Sequence, residues 1–526
     1  MIHAEKIRKS LLGVCLALGI AVAAQELPAD PQVSYDIRHD ISPPLRDMAR
    51  NAPPIRSRKR EMLEPERDLS LPIGATGQDT VVQDVYLPKV STRQVLSFDG
   101  MTSRVSGNVG PPDTNGSVGS TQFVEIVNFA YSVYDKTNGK SLLKPTSIDT
   151  IWQGFGGLCQ NINGGDPVVL WDKLAQRWLV TQLSYTSGFT RDFVCIAVSA
   201  TSDATGSFHR YVFNFNGQLT DYPKYGIWPD AYYFSGNVNG AEPCAFDRKA
   251  MISGKKAAMI CITPNPNYHS FLPSDMDGAT LPPAGAPNHY VDIANTSNLL
   301  AEFDFHVDFA HPKKSTFTGP NAITVPSYTF ACGGLGNCIP QPSPGPTVEV
   351  LADRLMFRLA YRNFGDHESM VVTHSVVPGK TSTAASAPRW YELRSTPPGG
   401  SFSVYQAGTF QNKTASLWMG SVAMDKQGNI ALGMSASSTT LKPSVWYTGR
   451  VPGDPLGKME APVIAEKGTA VQVGLTRWGD YSSMSVDPVD DCTFWYSQMY
   501  YNKKNGGSGS TDWTTRIVAF KFNHCK

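Results

Sequence analysis

From about residue 97 onward, short apolar runs alternate with polar turns in a period-two pattern. FVEIVN and YSVYD fill 122–135, PVVLWD and RWLVTQL fill 167–183, and further strand-like runs lie at 193–198 and 211–215. The same texture continues over 231–262, 290–305, 355–393, 403–447 and 483–522. No stretch of useful length repeats with the helical period. Five of the runs end in an aspartate at a hairpin turn: Val133-Tyr134-Asp135, Leu170-Trp171-Asp172, Ala245-Phe246-Asp247, Ala423-Met424-Asp425 and Ser485-Val486-Asp487. An aspartate there can accept hydrogen bonds from backbone N–H groups of its own turn. One such hairpin, repeated with insertions, predicts an all-β chain folded as a single β-propeller over 97–526. Four-stranded grouping gives about seven blades, with six or eight as the alternatives.

Composition agrees with this reading. The chain of 526 residues holds 46 Gly, 38 Pro and 55 aromatic residues, as a turn-rich β protein should, and 17% charged residues is too few for a disordered chain. A net charge of +1 favours neither nucleic acid nor an anionic membrane as partner. Lys6, Arg8 and Lys9 before the apolar run Leu11 to Ala24 read as a signal peptide over 1–24, too short to span a bilayer. Secreted or periplasmic placement follows, with no later membrane span. Residues 25–96 are Pro- and charge-rich, include Arg56-Ser57-Arg58-Lys59-Arg60, and read as an irregular arm: a disordered linker or a pro-segment.

Apart from Cys15, eight cysteines remain, an even number suited to an exported chain. Proximity in sequence pairs them as Cys159–Cys195, Cys244–Cys261, Cys332–Cys338 and Cys492–Cys525. The last bridge would tie the final strand into its own blade. No CxxC spacing offers a thiolate metal site.

The candidate chemistry lies just before presumed innermost strands. Asp113, Asp166, Asp230, Asp366 and Asp480 each sit in a Gly- or Pro-containing turn ahead of an apolar run, and Glu368 follows Asp366 by two. A propeller that gathers those turns would bring the carboxylates to one central mouth. Asp166, Asp366, Glu368 and Asp480 are then the catalytic candidates, acting as acid and nucleophile or base on a glycoside. Asp230, Trp228, His367 and Tyr481 are the ligand-binding candidates, with Trp152 and Trp478 as further aromatic surfaces. Crowded carboxylates call for a cation. Calcium suits oxygen ligands on short loops, and Asp113-Thr114-Asn115-Gly116 and Asp275-Met276-Asp277-Gly278 share a D-x-[DN]-G core, making Asp113 and Asn115 the metal candidates. The alternative is that each aspartate caps its own loop. No nucleophile elbow, HExxH, P-loop or dinucleotide fingerprint occurs, so no organic cofactor is expected.

The Asp-bearing hairpins resemble those of the BNR/Asp-box propellers, which include sialidases, although WDKLAQRW keeps only the Asp and the Trp of the full pattern. Segments GGDPVVLWDKLAQRWLVTQ, RLMFRLAYRNFGDHES and RWGDYSSMSVDPVDDCTFWY also look like those of secreted bacterial propeller proteins of unassigned activity. The resemblance implies the fold and export. Together these readings point to a secreted propeller, expected to be a monomer, that acts on or binds an extracellular polysaccharide. The alternative is a non-catalytic propeller that holds a surface protein.

Overall fold

The computed structural model describes residues 30–50, 52, 55, 79–89, 91–186, 191–215, 220–238, 240–263, 266–294, 296–380, 382–505 and 512–526. The signal-peptide reading of 1–24 and most of the basic arm, 56–78, lie outside the described residues.

Strands dominate, and the described helices are short; the longest α-helices, such as Leu45–Ala49, have five residues. The strands pair into antiparallel meanders of four at 115–147, 169–214, 221–261, 272–324, 356–410 and 416–466, and three more at 483–522 take Thr92–Thr102 as their fourth. In each meander one strand is innermost and the chain then steps outward. The innermost strands touch in cyclic order: Asn115–Val118, Val169–Asp172, Asp221–Ile227, Leu272–Met276, Met356–Asn363, Ser416–Met424, Ser483–Val486, and back to the first. The chain is therefore a β-propeller, as the hairpin repeat predicts.

Leu272–Met276 pairs in parallel with Met356–Asn363, while other innermost strands have inner-edge backbone groups left to satisfy. Side chains from neighbouring meanders supply the partners. Asn115 Oδ1 accepts from Val169 N–H (3.0 Å), Ser483 Oγ from Gly116 N–H (2.8 Å) and Ser421 Oγ from Met484 N–H (2.9 Å). Between meanders the core is aromatic: Phe213 packs on Phe246 at 4.8 Å, and Tyr447 stacks on Phe520 at 3.8 Å. Gly433 must be glycine because a Cβ there would fall 2.4 Å from the Tyr496 ring.

The arm departs from expectation wherever it is described. Gln32–Tyr35 pairs with the outermost strand of the third meander and Arg38–Ile41 with that of the second. Val82–Gln83 extends the fifth meander, and Thr92–Thr102 is the outer strand of the last. Low apolar content suggested disorder, but backbone hydrogen bonds along exposed sheet edges need no apolar side chain. Tyr35 and Ile41 are indeed exposed. The propeller thus begins at Thr92, before residue 97, and its ring is closed by the Thr92–Thr102 strand.

All four cysteine pairings hold: Cys159–Cys195, Cys244–Cys261, Cys332–Cys338 and Cys492–Cys525. The turn aspartates also act as expected. Asp135 accepts from Thr137 N–H (2.7 Å), Asp172 from Ala175 N–H (3.0 Å), Asp247 from Ala250 N–H (2.9 Å), Asp425 from Gln427 N–H (2.9 Å) and Asp487 from Val489 N–H (2.9 Å). Among the described residues no helix is long and apolar enough to cross a membrane.

Candidate functional site

Chain direction gives the ring two different mouths. At the leading mouth the innermost strands begin; at the trailing mouth they end in hairpins. Near the start of six innermost strands one residue takes a left-handed backbone: Asp113 (φ 52°), Asp166 (φ 48°), Tyr222 (φ 51°), Ser270 (φ 60°), Met419 (φ 53°) and Asp480 (φ 57°). Aspartate tolerates this conformation better than most residues. Such backbone persists only where its surroundings hold it.

Three of these residues are the aspartates of the seventh, first and second meanders, which are neighbours around the ring. Asp480, Asp113 and Asp166 are all buried and lie close enough to act on one another electrostatically. Burial first, then the charges of Asp480 and Asp166, raise the Asp113 carboxyl well above the ordinary range. Asp113 Oδ1 and Asp480 Oδ1 have no hydrogen-bond partner, while Arg477 pairs with the other oxygen of Asp480 and, at 2.8 Å, with Glu349. The third meander contributes Lys224, fully buried, with its ammonium 3.4 Å from the Tyr222 ring centre and 4.1 Å from that of Tyr481. Burial pulls Lys224 down to about 8 even though Asp166 and Asp113 oppose the shift. Arg354 also lies over the Tyr222 ring, at 4.4 Å, and pairs with Asp353 at 2.8 Å.

Of the residues singled out in the sequence, the structure brings Asp113, Asp166, Asp480 and Tyr481 together at this mouth. The sequence reading misses Lys224, Tyr222, Arg354, Arg477 and Glu349. Lys224 lies in DYPKYGI, whose alternation is weak and broken by a proline, so the third innermost strand is hard to read. Arg477 was within sight, three residues before Asp480 in RWGDYSS.

The other candidates lie elsewhere. Asp230 and Trp228 fall in the hairpin after Asp221–Ile227, and Asp366 and His367 in the hairpin after Met356–Asn363. Glu368 opens the second strand of its meander, not the innermost one. All five therefore belong to the trailing ends. A turn aspartate ahead of an apolar run has the same sequence signature at either mouth. Asp366 is 84% exposed at its side chain and pairs with the adjacent His367 at 2.7 Å. Glu368 is buried, accepting from Tyr361 Oη–H and Gly399 N–H at 2.5 Å each. Asp230 accepts from Tyr233 Oη–H at 3.2 Å. Trp228, Trp152 and Trp478 are buried packing groups, with no face open for stacking on a sugar.

The calcium reading meets two obstacles. Asn115 already uses its carbonyl oxygen on Val169, and Lys224 and Arg477 bring cationic charge to the aspartates. In the second D-x-[DN]-G segment, Asp275 and Asp277 both bind the Arg358 guanidinium, at 2.7 and 2.6 Å.

Fold and cluster define the class: an all-β propeller with aspartates, cations and tyrosines buried together at its axis. No family model matches the chain, and no curated protein matches it. Its structural neighbours include the GH93 α-L-arabinofuranosidase of Fusarium graminearum, at 8% identity and a TM-score of 0.33, covering 77% of this chain and 92% of that one. The phage phi92 endosialidase is similar at 9% identity and a TM-score of 0.36, covering 85% and 69%. The Penicillium chrysogenum α-L-arabinanase is similar at 8% identity and a TM-score of 0.31, covering 58% and 94%. These likenesses are too remote to bear on the reaction.

Proposed function

We propose that the chain is an exported propeller that acts on an extracellular glycan through Asp113, Asp166 and Asp480. One observation supports this above all: neighbouring meanders bring together carboxyl groups in opposed environments. Asp113 is pushed toward its protonated form, while Asp480 is held in an ion pair by Arg477. A carboxyl pushed toward its protonated form beside one paired with a guanidinium is the kind of asymmetry glycoside cleavage uses. Asp113 would give its proton to the departing glycosidic oxygen. Asp480, or Asp166 beside it, would attack the anomeric carbon or draw a proton from the attacking water. Lys224 would limit the repulsion among the three.

Polysaccharides of several backbone types, incubated with the purified chain and assayed for new reducing ends, test this. Asp113→Asn should abolish release while the melting temperature stays close to that of the parent, and Asp480→Asn should abolish release with a lower melting temperature, because it breaks the buried ion pair with Arg477. Full activity in either variant, or no release from any polysaccharide, overturns the reading.

A second reading has its own support. Asp113 is 1%, Asp166 8% and Asp480 5% exposed, so substrate reaches them only if the covering loops yield. That burial favours a propeller that binds a surface glycan or protein without turnover, its cluster serving as an internal brace. Retention on an immobilised polysaccharide with no product formed would support this alternative.

A further inference from the structure

The trailing mouth holds a cavity of about 570 Å³ among the ends of innermost strands. One strand farther out, the fourth meander brings an imidazole and two carboxylates together. Asn288–Ile293 and Leu299–His306 run antiparallel, and their register sets His289 directly opposite Asp304. Glu302 lies two residues before Asp304, so the pleat turns it to the same face. One donor atom from each of the three lies within 4.8 Å of the other two. His289 and Glu302 are buried, and the Asp304 side chain is 33% exposed.

Both carboxylates address one nitrogen. His289 Nδ1 stands 2.9 Å from Glu302 Oε1 and 2.8 Å from Asp304 Oδ1. A ring nitrogen carries one hydrogen at most. On Nδ1 that hydrogen lines up with Glu302, and Asp304 Oδ1, shielded from water, has no hydrogen-bond partner. Charge is unbalanced as well. Two carboxylates and one imidazolium leave a negative charge among the three groups, whereas a divalent ion held by a neutral imidazole leaves none. The spacing also fits an ion. Bonds of about 2.1 Å at right angles put neighbouring ligand atoms about 3.0 Å apart, close to the two separations found. Metal ligands are usually oriented by further groups behind them. Asn321 Nδ2–H donates to Glu302 Oε2 at 2.7 Å, which fixes the carboxylate and leaves Oε1 directed at His289. The rings of Phe402, at 4.8 Å, and Trp228, at 6.2 Å, hold the imidazole.

We propose that His289, Glu302 and Asp304 bind a zinc ion, which takes the place of the Nδ1 hydrogen and joins the two strands. The displaced proton passes to solvent. Zinc accepts nitrogen and carboxylate oxygen together, whereas calcium takes oxygen alone. The exposed edge of Asp304 is the way in, and water completes the coordination. This site is distinct from the aspartate cluster and does not depend on the glycan reading.

The full chain, stripped with a chelator, dialysed and titrated calorimetrically with zinc chloride, tests it. The parent should take up one ion per chain, and its melting temperature should rise with zinc. Asp304→Asn and His289→Gln should each bind at least about tenfold more weakly, and Asn321→Leu about tenfold, since groups that orient metal ligands are worth about 10–100-fold in affinity. Each variant is compared with itself with and without zinc, so a change in fold stability alone does not move the readout. An excess of calcium should displace none of the zinc. No uptake by the parent, uptake that Asp304→Asn and His289→Gln both leave unchanged, or displacement by calcium overturns the proposal. Failure of polysaccharide cleavage would count against the aspartate cluster alone.

Discussion

At the scale of single residues, Glu125 is an ionisable group held deep inside where several meanders meet. It is fully buried and accepts from Met101 N–H (3.0 Å) on the closing strand, Ser497 Oγ–H (3.0 Å) on the last meander and Tyr134 Oη–H (3.4 Å) on its own. Burial raises its carboxyl to about 7, above the 4.5 of a free glutamate. An acid raised on folding contributes stability that is complete below the unfolded value and is lost as pH climbs through the folded one. Between pH 4.5 and about 7 the protein should therefore lose on the order of 3 kcal/mol through this group. Denaturant unfolding at pH 5 and pH 8 should show that loss in the parent, and Glu125→Gln should flatten it. An unchanged pH slope would rule Glu125 out as its source. Lys224 offers a second test. Lys224→Met strips a buried cation from three aspartates and should cost about 3–5 kcal/mol. Asp113→Asn in the same chain should restore part of it, so the two effects should be non-additive. Strict additivity would mean that the two groups do not interact.

At the scale of elements, hairpins were legible in the sequence and their place in the ring was not. The turn aspartates, the cysteine pairs and most strands could be read because each depends on residues near one another in sequence. Asp166 and Asp366 show the limit: both precede apolar runs, yet one starts an innermost strand and the other sits in the hairpin that leaves one. Only pairing between distant strands separates the two. The arm's described strands at 32–41 are not legible for a related reason, since they are stabilised by edges of meanders more than a hundred residues away. Arg210 fixes this part of the arm, meeting Asp40 at 2.7 Å. Limited proteolysis should spare 30–42 in the parent, and Arg210→Ala should make it cleavable; equal resistance would show that the backbone pairing suffices. The Cys492–Cys525 bridge lies inside the last meander. Replacing both cysteines by alanine should lower stability by about 2–5 kcal/mol, read from denaturant unfolding.

At the scale of the whole molecule, two mouths of one ring have been given different characters. The leading mouth is packed with aspartates, cations and tyrosines, and the trailing mouth keeps an open cavity. The ring that separates them is completed by Thr92–Thr102 lying against Trp513–Phe522. This closure has a consequence for synthesis. The closing strand leaves the ribosome early, but its partner follows roughly 420 residues later, about 20–80 s at ordinary elongation rates. Until then the nascent chain carries an unsatisfied β edge able to recruit the wrong neighbour. Contacts this distant in sequence also slow folding. A chaperone that shields residues 92–102 during translation should therefore raise the yield of native protein more than one that acts after release.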